Sequence, residues 1–229
     1  MTRLTPHTLR LAHRGDHRHE AENTIPALVA AMDVPGCDGV EFDVHVSRDG
    51  VPVVLHDPTL ERVQGVAAAC AGLTAAELET HGVPTLEAAI AALPRRAYLD
   101  VELKVPIGRA LVEVLAAGRG PDLGAAFVSS FEEEALRRLH GLVPGWPIWL
   151  NTVDLTAETI GRAVDLECSG ISVEWRAIDE RSTARVRDAG LGLAAWTVTN
   201  RRTYSRLVSL GVDAVCVEGP ALGPEPKRR

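Results

Sequence analysis

Residues 39–57 read GVEFDVHVSRDGVPVVLHD, and the alternation in this stretch decides the fold. Glu41 and Asp43 stand two apart among β-formers, so they share one strand face while Val40, Phe42 and Val44 occupy the other. One face is acidic and the other apolar. Asp49-Gly50 then marks a tight hairpin turn ahead of the apolar return from Val51 to Leu55. A two-residue turn sets Asp43 directly opposite His56, with Cβ atoms about 4.5–5.5 Å apart. A three-residue loop with a bulge would shift that pairing by one.

Upstream, residues 9–15 (LRLAHRG) form a short strand ending in a basic turn, and Asn23 caps a helix running to Met32 with Pro26 in its first turn. Downstream, residues 58–82 lack a strong period apart from LTAAEL, where Thr74 and Glu77 make a capping box; this is a short excursion from the main architecture. Residues 97–104, AYLDVELK, alternate again, with Asp100, Glu102 and Lys104 on one face and Leu99, Val101 and Leu103 on the other. From there helices (107–117, 132–142, 157–166, 179–189, 200–210) alternate with strands (125–131, 148–153, 170–175, 191–199, 212–217), and Ser130 with Glu133 reads as a second capping box. Right-handed crossovers between parallel strands follow from that order, and with the hairpin counted once the pattern is an α/β fold of the TIM (β/α)₈ barrel type.

After Pro220 the chain has no room for a full eighth helix, so residues 221–229 are expected to be a disordered tail. The truncation should leave apolar surface near Val215, Val217 and Leu11. Either the tail or a second copy in a homo-oligomer would cover it.

With 229 residues and 46% hydrophobic content, the chain is read as a single domain spanning 1–229. Cys37, Cys70, Cys168 and Cys216 form no CxxC pair and no zinc-ligand spacing, which fits a reducing compartment. The N-terminus has no apolar leader run and no stretch is long enough to span a bilayer, so a cytoplasmic location is expected. A net charge of −7 argues against nucleic acid and against stable association with an anionic membrane. Among 24 basic residues only Lys104 and Lys227 are lysines. A chain that otherwise uses arginine has placed one compact point charge inside an apolar strand.

Inward-facing Glu41, Asp43 and Glu102 are a costly departure from the branched apolar filling of a barrel. Near the C-terminal strand ends they form a plausible oxygen cage for a hard divalent cation. Set against Lys104, Arg14 and such a cation, the three carboxylates leave a pocket of about +1 with the histidines neutral, suited to a monoanionic phosphodiester. The plainer reading is a set of structural salt bridges to Lys104 and Arg14, with His13 a buried, hydrogen-bonded histidine. The clustering of His13, Arg14, Gly15, His56 and Asp57 with the carboxylates weighs against it. His17, His19, His45 and His81 are placed at the rim or in solvent, although His45 shares the acidic face and is also a candidate to line the pocket. Trp196 is core by default, or a wall of the cleft.

LAHRGDHRHEAENT, VEFDVHVSRDGVPVVLHDPTLERV, LDVELK, SSFEEEALRRL, AWTVTN and GVDAVCVEGP together resemble the successive motifs of glycerophosphodiester phosphodiesterases. The resemblance runs from the first strand to the last. It implies a barrel hydrolase that cleaves glycerophosphodiesters to glycerol 3-phosphate and an alcohol with the help of a divalent cation, Mg²⁺ or Ca²⁺. It implies that His13 and His56 are the acid/base pair, that Glu41, Asp43 and Glu102 hold the metal, and that Arg14 and Lys104 contact phosphate. The cleavage would run through a cyclic phosphate. The chain departs from the pattern at Glu218, where the closing motif usually has aspartate, and in the shortness of the excursion. A lysophospholipase D acting on lipid phosphodiesters, and a catalytically silent barrel that binds phosphodiester head groups, stand as the alternatives.

Overall fold

The computed structural model describes residues 4–223. The elements in order are β1 (Leu9–His13), α1 (Ile25–Met32), β2 (Gly39–Val46), β3 (Pro52–Val54), α2 (Glu61–Gln64), α3 (Ala75–Thr80), α4 (Leu86–Ala92), β4 (Tyr98–Leu103) and α5 (Arg109–Arg119). They continue with β5 (Ala126–Ser130), α6 (Glu133–Leu142), β6 (Ile148–Thr152), α7 (Ala157–Asp165), β7 (Gly170–Glu174), α8 (Glu180–Asp188), β8 (Gly192–Val198), α9 (Arg201–Leu210) and β9 (Ala214–Val217). All strands but β3 are parallel and run β1-β9-β8-β7-β6-β5-β4-β2, and β1 pairs with β2 to close the ring. This is the TIM barrel, with β3 as an extra strand outside it.

The apolar strand faces explain the packing. Val40, Phe42, Val44, Leu99, Val101 and Leu103 turn outward into one continuous core with the helices. Inside, Leu9, Leu11, Phe127, Trp149, Ala194, Ala214 and Cys216 plug the barrel beneath the polar layer. Phe127 and Trp149 stack there with ring centroids 4.6 Å apart. A Cβ at Gly170 or Gly192 would come within 2.7 Å of the Trp149 ring, so the bare backbone of those strands makes room for the indole.

Four expectations are corrected. The hairpin pairs Val44 with Val54 and His45 with Val53, one residue away from the two-residue-turn register. Arg48, Asp49 and Gly50 form a three-residue loop, closed by bonds from Gly50 N to Ser47 O and from Ser47 N to Val51 O, each 3.0 Å, with Gly50 at φ +83°. The cause lies outside the hairpin: Asp49 accepts from Ala75 N at the start of α3 and from the Ser47 hydroxyl, and is therefore not free to sit in a tighter turn. Asp43 accordingly faces Leu55, whose amide donates to its carbonyl at 3.0 Å.

Second, the cap of α1 is Thr24, whose side chain accepts from Ala27 N, and Asn23 is released for other work. Third, Ser130 makes no capping box. Its hydroxyl donates to Leu103 O at 2.7 Å and accepts from Glu132 N, and Glu132 takes the N-cap position with no side-chain cap bond. Fourth, the chain end is ordered further than expected. Gly219–Ala221 make a 3₁₀ turn, and Ala221 and Leu222 are buried. Residues 224–229 lie outside the described residues. Val215, Val217 and Leu11 are fully buried, the first two within the outer core and Leu11 in the barrel interior, so the truncation bares no apolar surface at these positions.

The loop after β1 combines a left-handed glycine with close backbone contact. Gly15 has φ +84°, and a Cβ there would sit 2.5 Å from the carbonyl carbon of Ala27 in α1. Gly15→Ala is therefore expected to destabilise the fold by more than about 1 kcal/mol, read as a lowered urea midpoint at unchanged slope.

Candidate active site

Strand register builds the site. His13 lies beside Glu41, Glu41 beside Asp100, and Asp43 beside Glu102, so like charges stand directly opposite one another across β2 and β4. One ligand oxygen from each of Glu41, Asp43 and Glu102 lies within 4.8 Å of the others. Glu41 Oε1 is buried and has no hydrogen-bond partner, while Oε2 accepts from Arg14 N at 3.0 Å. Lys104 Nζ meets Asp43 Oδ1 at 2.8 Å and also contacts Glu102, and Arg14 Nε lies 3.2 Å from Asp43 Oδ2. Asn23, left-handed at φ 58°, holds Asp43 from the other side, with Nδ2 donating to Oδ2 at 2.8 Å.

The electrostatics of this cluster point toward a cation. Burial, then Asp43, Glu102 and Asp100, push the Glu41 carboxyl well above the usual range. Burial and Asp43 also raise Glu102 against the pull of Lys104. Burial opposes ionisation of Asp43, but Lys104, Arg14 and His56 outweigh it and hold that carboxyl low. Deeper still, Asp100 is pushed up to about 8 by burial, and accepts from Ser129 Oγ at 2.6 Å. The layer nearest the pocket thus carries more buried negative charge than Lys104 and Arg14 neutralise, plus one orphaned carboxylate oxygen. A hard divalent cation fits that donor set.

His13, Arg14, Glu41, His56, Glu102, Lys104 and Trp196 line one cavity of about 250 Å³ at the C-terminal mouth of the barrel. Each histidine turns Nδ1 to a carboxylate: His13 to Glu218 Oε1 at 2.5 Å, and His56 to Asp57 Oδ1 at 2.6 Å. That leaves both Nε2 atoms for the pocket, with His13 Nε2 3.8 Å from Glu41 Oε2. His56 reaches the cavity despite the shifted register because the ladder ends with the bond from Leu55 N to Asp43 O, one residue before it. His45 Nε2 lies 3.1 Å from the His56 carbonyl, so His45 is buried against the backbone just after β3 rather than solvated at the rim. Trp196 is half-buried on the opposite wall, edge-on to Phe131 with centroids 5.5 Å apart.

A family model described as the glycerophosphoryl diester phosphodiesterase family matches residues 13–222. The chain belongs to that family. Its members are phosphoric diester hydrolases. A glycerophosphodiester phosphodiesterase from Caldanaerobacter subterraneus subsp. tengcongensis is 27% identical over 237 residues, covering 93% of this chain and 95% of that protein. A solved phosphodiesterase from Oleispira antarctica, in complex with the product sn-glycerol-3-phosphate, aligns with a TM-score of 0.80 at 28% identity, over 91% of this chain and 92% of that one. A glycerophosphodiester phosphodiesterase from Agrobacterium tumefaciens aligns with a TM-score of 0.79 at 26% identity, over 94% and 98% of the two chains. No helix among the described residues is long and apolar enough to cross a membrane.

Membership in the family leaves several residues that motif reading passed over. Asn23 was read as a helix cap, although ENT offers Thr24 for that task. Glu218 was read as a departure, yet its longer side chain reaches His13; the hydrogen bond from His13 lowers its carboxyl against the effect of burial. Glu22, Asp57 and Arg62 form ion pairs across the mouth: Arg62 Nη2 to Glu22 Oε1 at 2.6 Å, and Arg62 Nε to Asp57 Oδ2 at 2.5 Å. The only signal of these pairs was charge at loop positions, which gives no partner.

Burial opposes ionisation of Glu22, but Arg62 and Arg14 bring it down to about 2. A lowered carboxyl binds its proton first in the unfolded chain, so its contribution to stability is present above the ordinary carboxylate range and is lost as pH falls toward 2. Glu22→Gln removes that one titration. Between pH 4 and 2 the variant should lose stability less steeply than the parent, by up to about 1.4 kcal/mol per pH unit, in urea titrations at fixed ionic strength.

Proposed function

We propose that this protein hydrolyses glycerophosphodiesters to glycerol 3-phosphate and an alcohol, with His13 and His56 as acid and base and a divalent cation held by Glu41, Asp43 and Glu102. The observation that carries the reading is the pairing of two histidines, each backed by a carboxylate, across one cavity from a cluster of buried carboxylates. When bound, the cation supplies positive charge to the phosphoryl oxygens and balances the buried acids. Arg14 and Lys104, on the same wall, add a planar and a point charge that orient the phosphate. Mg²⁺ and Ca²⁺ both suit an all-oxygen site. The small-molecule substrate of this reading requires neither nucleic acid nor a membrane, and a cytoplasmic location accords with it.

The nucleophile follows from effective concentration. A glycerol 2-hydroxyl already held beside phosphorus gains about 7–11 kcal/mol over a free water in well-oriented cases. In this route one histidine takes the hydroxyl proton at Nε2, and the oxygen attacks phosphorus to close a cyclic glycerol phosphate. The other histidine protonates the departing alkoxide. In the second step the roles reverse: the histidine that lost its proton takes one from water, the water oxygen bonds to phosphorus, and the ring oxygen that leaves phosphorus receives a proton from the other histidine. Asp57 and Glu218 hold each ring in place and steady its charged form.

A substrate whose glycerol 2-hydroxyl is replaced by hydrogen keeps the charge and most contacts but lacks the internal nucleophile. Its kcat should fall by at least about 10³-fold while its binding persists. Normal turnover of that analogue would rule out the cyclic route. A lysophospholipid compared with a water-soluble glycerophosphodiester of the same head group should be the poorer substrate by kcat/KM; the reverse preference would favour the lipid-acting alternative.

A further inference from the structure

The excursion after β3 delivers one side chain to the mouth of the barrel. Arg62 sits on the single-turn helix α2, which left-handed Gly65 caps. Leu60, fully buried, anchors that turn in a small core of its own with Val53, Leu55, Cys70, Leu78 and Val83. Backbone bonds from Leu60 N to Ala68 O and from Cys70 N to Pro58 O, each 2.9 Å, fold the segment back on itself. From this base the Arg62 guanidinium reaches two carboxylates that belong to different parts of the site.

The ions form an unbroken chain. His56 Nδ1 is bonded to Asp57 Oδ1 at 2.6 Å, and the other oxygen, Oδ2, accepts from Arg62 Nε at 2.5 Å. Arg62 Nη2 donates to Glu22 Oε1 at 2.6 Å, and the same oxygen accepts from Arg14 Nη1 at 2.7 Å. Nε and Nη2 are the parallel edge with which arginine usually grips a single carboxylate. Here that edge is shared between two. Lysine, a point charge on a flexible stem, has no such geometry.

Arg62 is about half exposed, and exposed ion pairs contribute little to stability. What the pairing does accomplish is geometric. With Oδ2 of Asp57 held, the carboxylate cannot swing away from His56. With Glu22 held, the Arg14 guanidinium is fixed at the far end from its contact with Asp43. We propose that Arg62 is a positioning residue that, through Asp57 and Glu22, holds the His56 ring and the Arg14 guanidinium in one fixed relation across the mouth of the barrel. The proposal rests on the catalytic reading of His56 and the phosphate-binding reading of Arg14.

The test uses the full chain with saturating Mg²⁺ or Ca²⁺ and a glycerophosphodiester substrate, and compares Arg62→Ala, Arg62→Lys and His56→Ala. Arg48→Ala is the control, since Arg48, a comparably exposed arginine in the hairpin loop, pairs with Glu77 of the same excursion. Arg62→Ala should lower kcat by about 10–100-fold, with a smaller rise in KM and a thermal midpoint close to the parent's. Arg62→Lys should recover little. Guanidinium at tens of millimolar, against an equal concentration of sodium chloride, should restore part of the activity of Arg62→Ala and none of that of Arg48→Ala, which starts at the parental level. Parental kcat and KM in Arg62→Ala, with His56→Ala inactive, would overturn the positioning role and leave the catalytic reading standing. A loss of activity in Arg62→Ala matched by a loss of folding, with no rescue by guanidinium, would assign Arg62 to structure alone and also overturn it. Full activity in His56→Ala would bring down the catalytic reading and the positioning role with it.

Discussion

His56→Ala is expected to lower kcat by about 10²–10⁴-fold, with KM and metal affinity nearly unchanged. The ring lines the cavity, presents Nε2 to it, and is a third exposed, so its removal opens no cavity in the core. The thermal midpoint should therefore stay close to the parent's. His13→Ala should match it in kind, because each route through the cyclic phosphate needs both an acid and a base in each step. The double variant should be barely slower than either single one, since groups that act as a unit are strongly non-additive. Steady-state kinetics on the three variants checks this, and two independent, multiplying losses would show that the histidines do not act together.

The second large effect concerns the carboxylates. Chelation of divalent cations should abolish turnover, and Glu41→Gln should weaken metal affinity by more than about 100-fold. The same substitution has the opposite effect on the metal-free fold. Burial and three neighbouring acids raise the Glu41 carboxyl well above its ordinary range, so holding it ionised near neutral pH costs stability. The sign follows from linkage: the native state binds the proton more tightly than the unfolded chain, so the cost appears as pH rises above the unfolded value. Gln keeps the oxygen that accepts from Arg14 N and removes the charge. Without metal, Glu41→Gln should melt about 2–4 °C above the parent at pH 7, corresponding to about 1 kcal/mol. With saturating cation the order should reverse, because only the parent gains stability by binding. Calorimetry with and without metal reads both halves, and full activity in exhaustively metal-free buffer would refute the role of the cation.

How far these residues could be read from sequence depends on the reach of the physics. Alternation in residues 39–46 and 97–104 is a property of single strands, and it sets the acids on one face whatever their partners. The barrel followed because strand and helix periods alternate along the chain. The hairpin register was misread because Asp49 answers to Ala75 in α3, twenty-six residues away, as well as to its own turn. Asn23 was misread for a related reason. Its side chain could satisfy either the helix end or Asp43, and Thr24 was available for the helix, which left the buried carboxylate to Asn23. Glu218 and Arg62 act on residues far away in the chain, and no local pattern carries such a pairing. Residues 221–229 read as a disordered tail because they are too few for a helix, whereas a single 3₁₀ turn suffices to bury Ala221 and Leu222.

The central claim, that this site cleaves glycerophosphodiesters, is tested most directly by following a glycerophosphodiester by ³¹P NMR in the presence of the protein and Mg²⁺ or Ca²⁺. The account predicts that the diester resonance is replaced by that of glycerol 3-phosphate, that chelation stops the conversion, and that His13→Ala and His56→Ala abolish it. Saturable binding of the diester with no monoester formed under any metal condition would contradict it and identify a barrel that binds phosphodiesters without cleaving them.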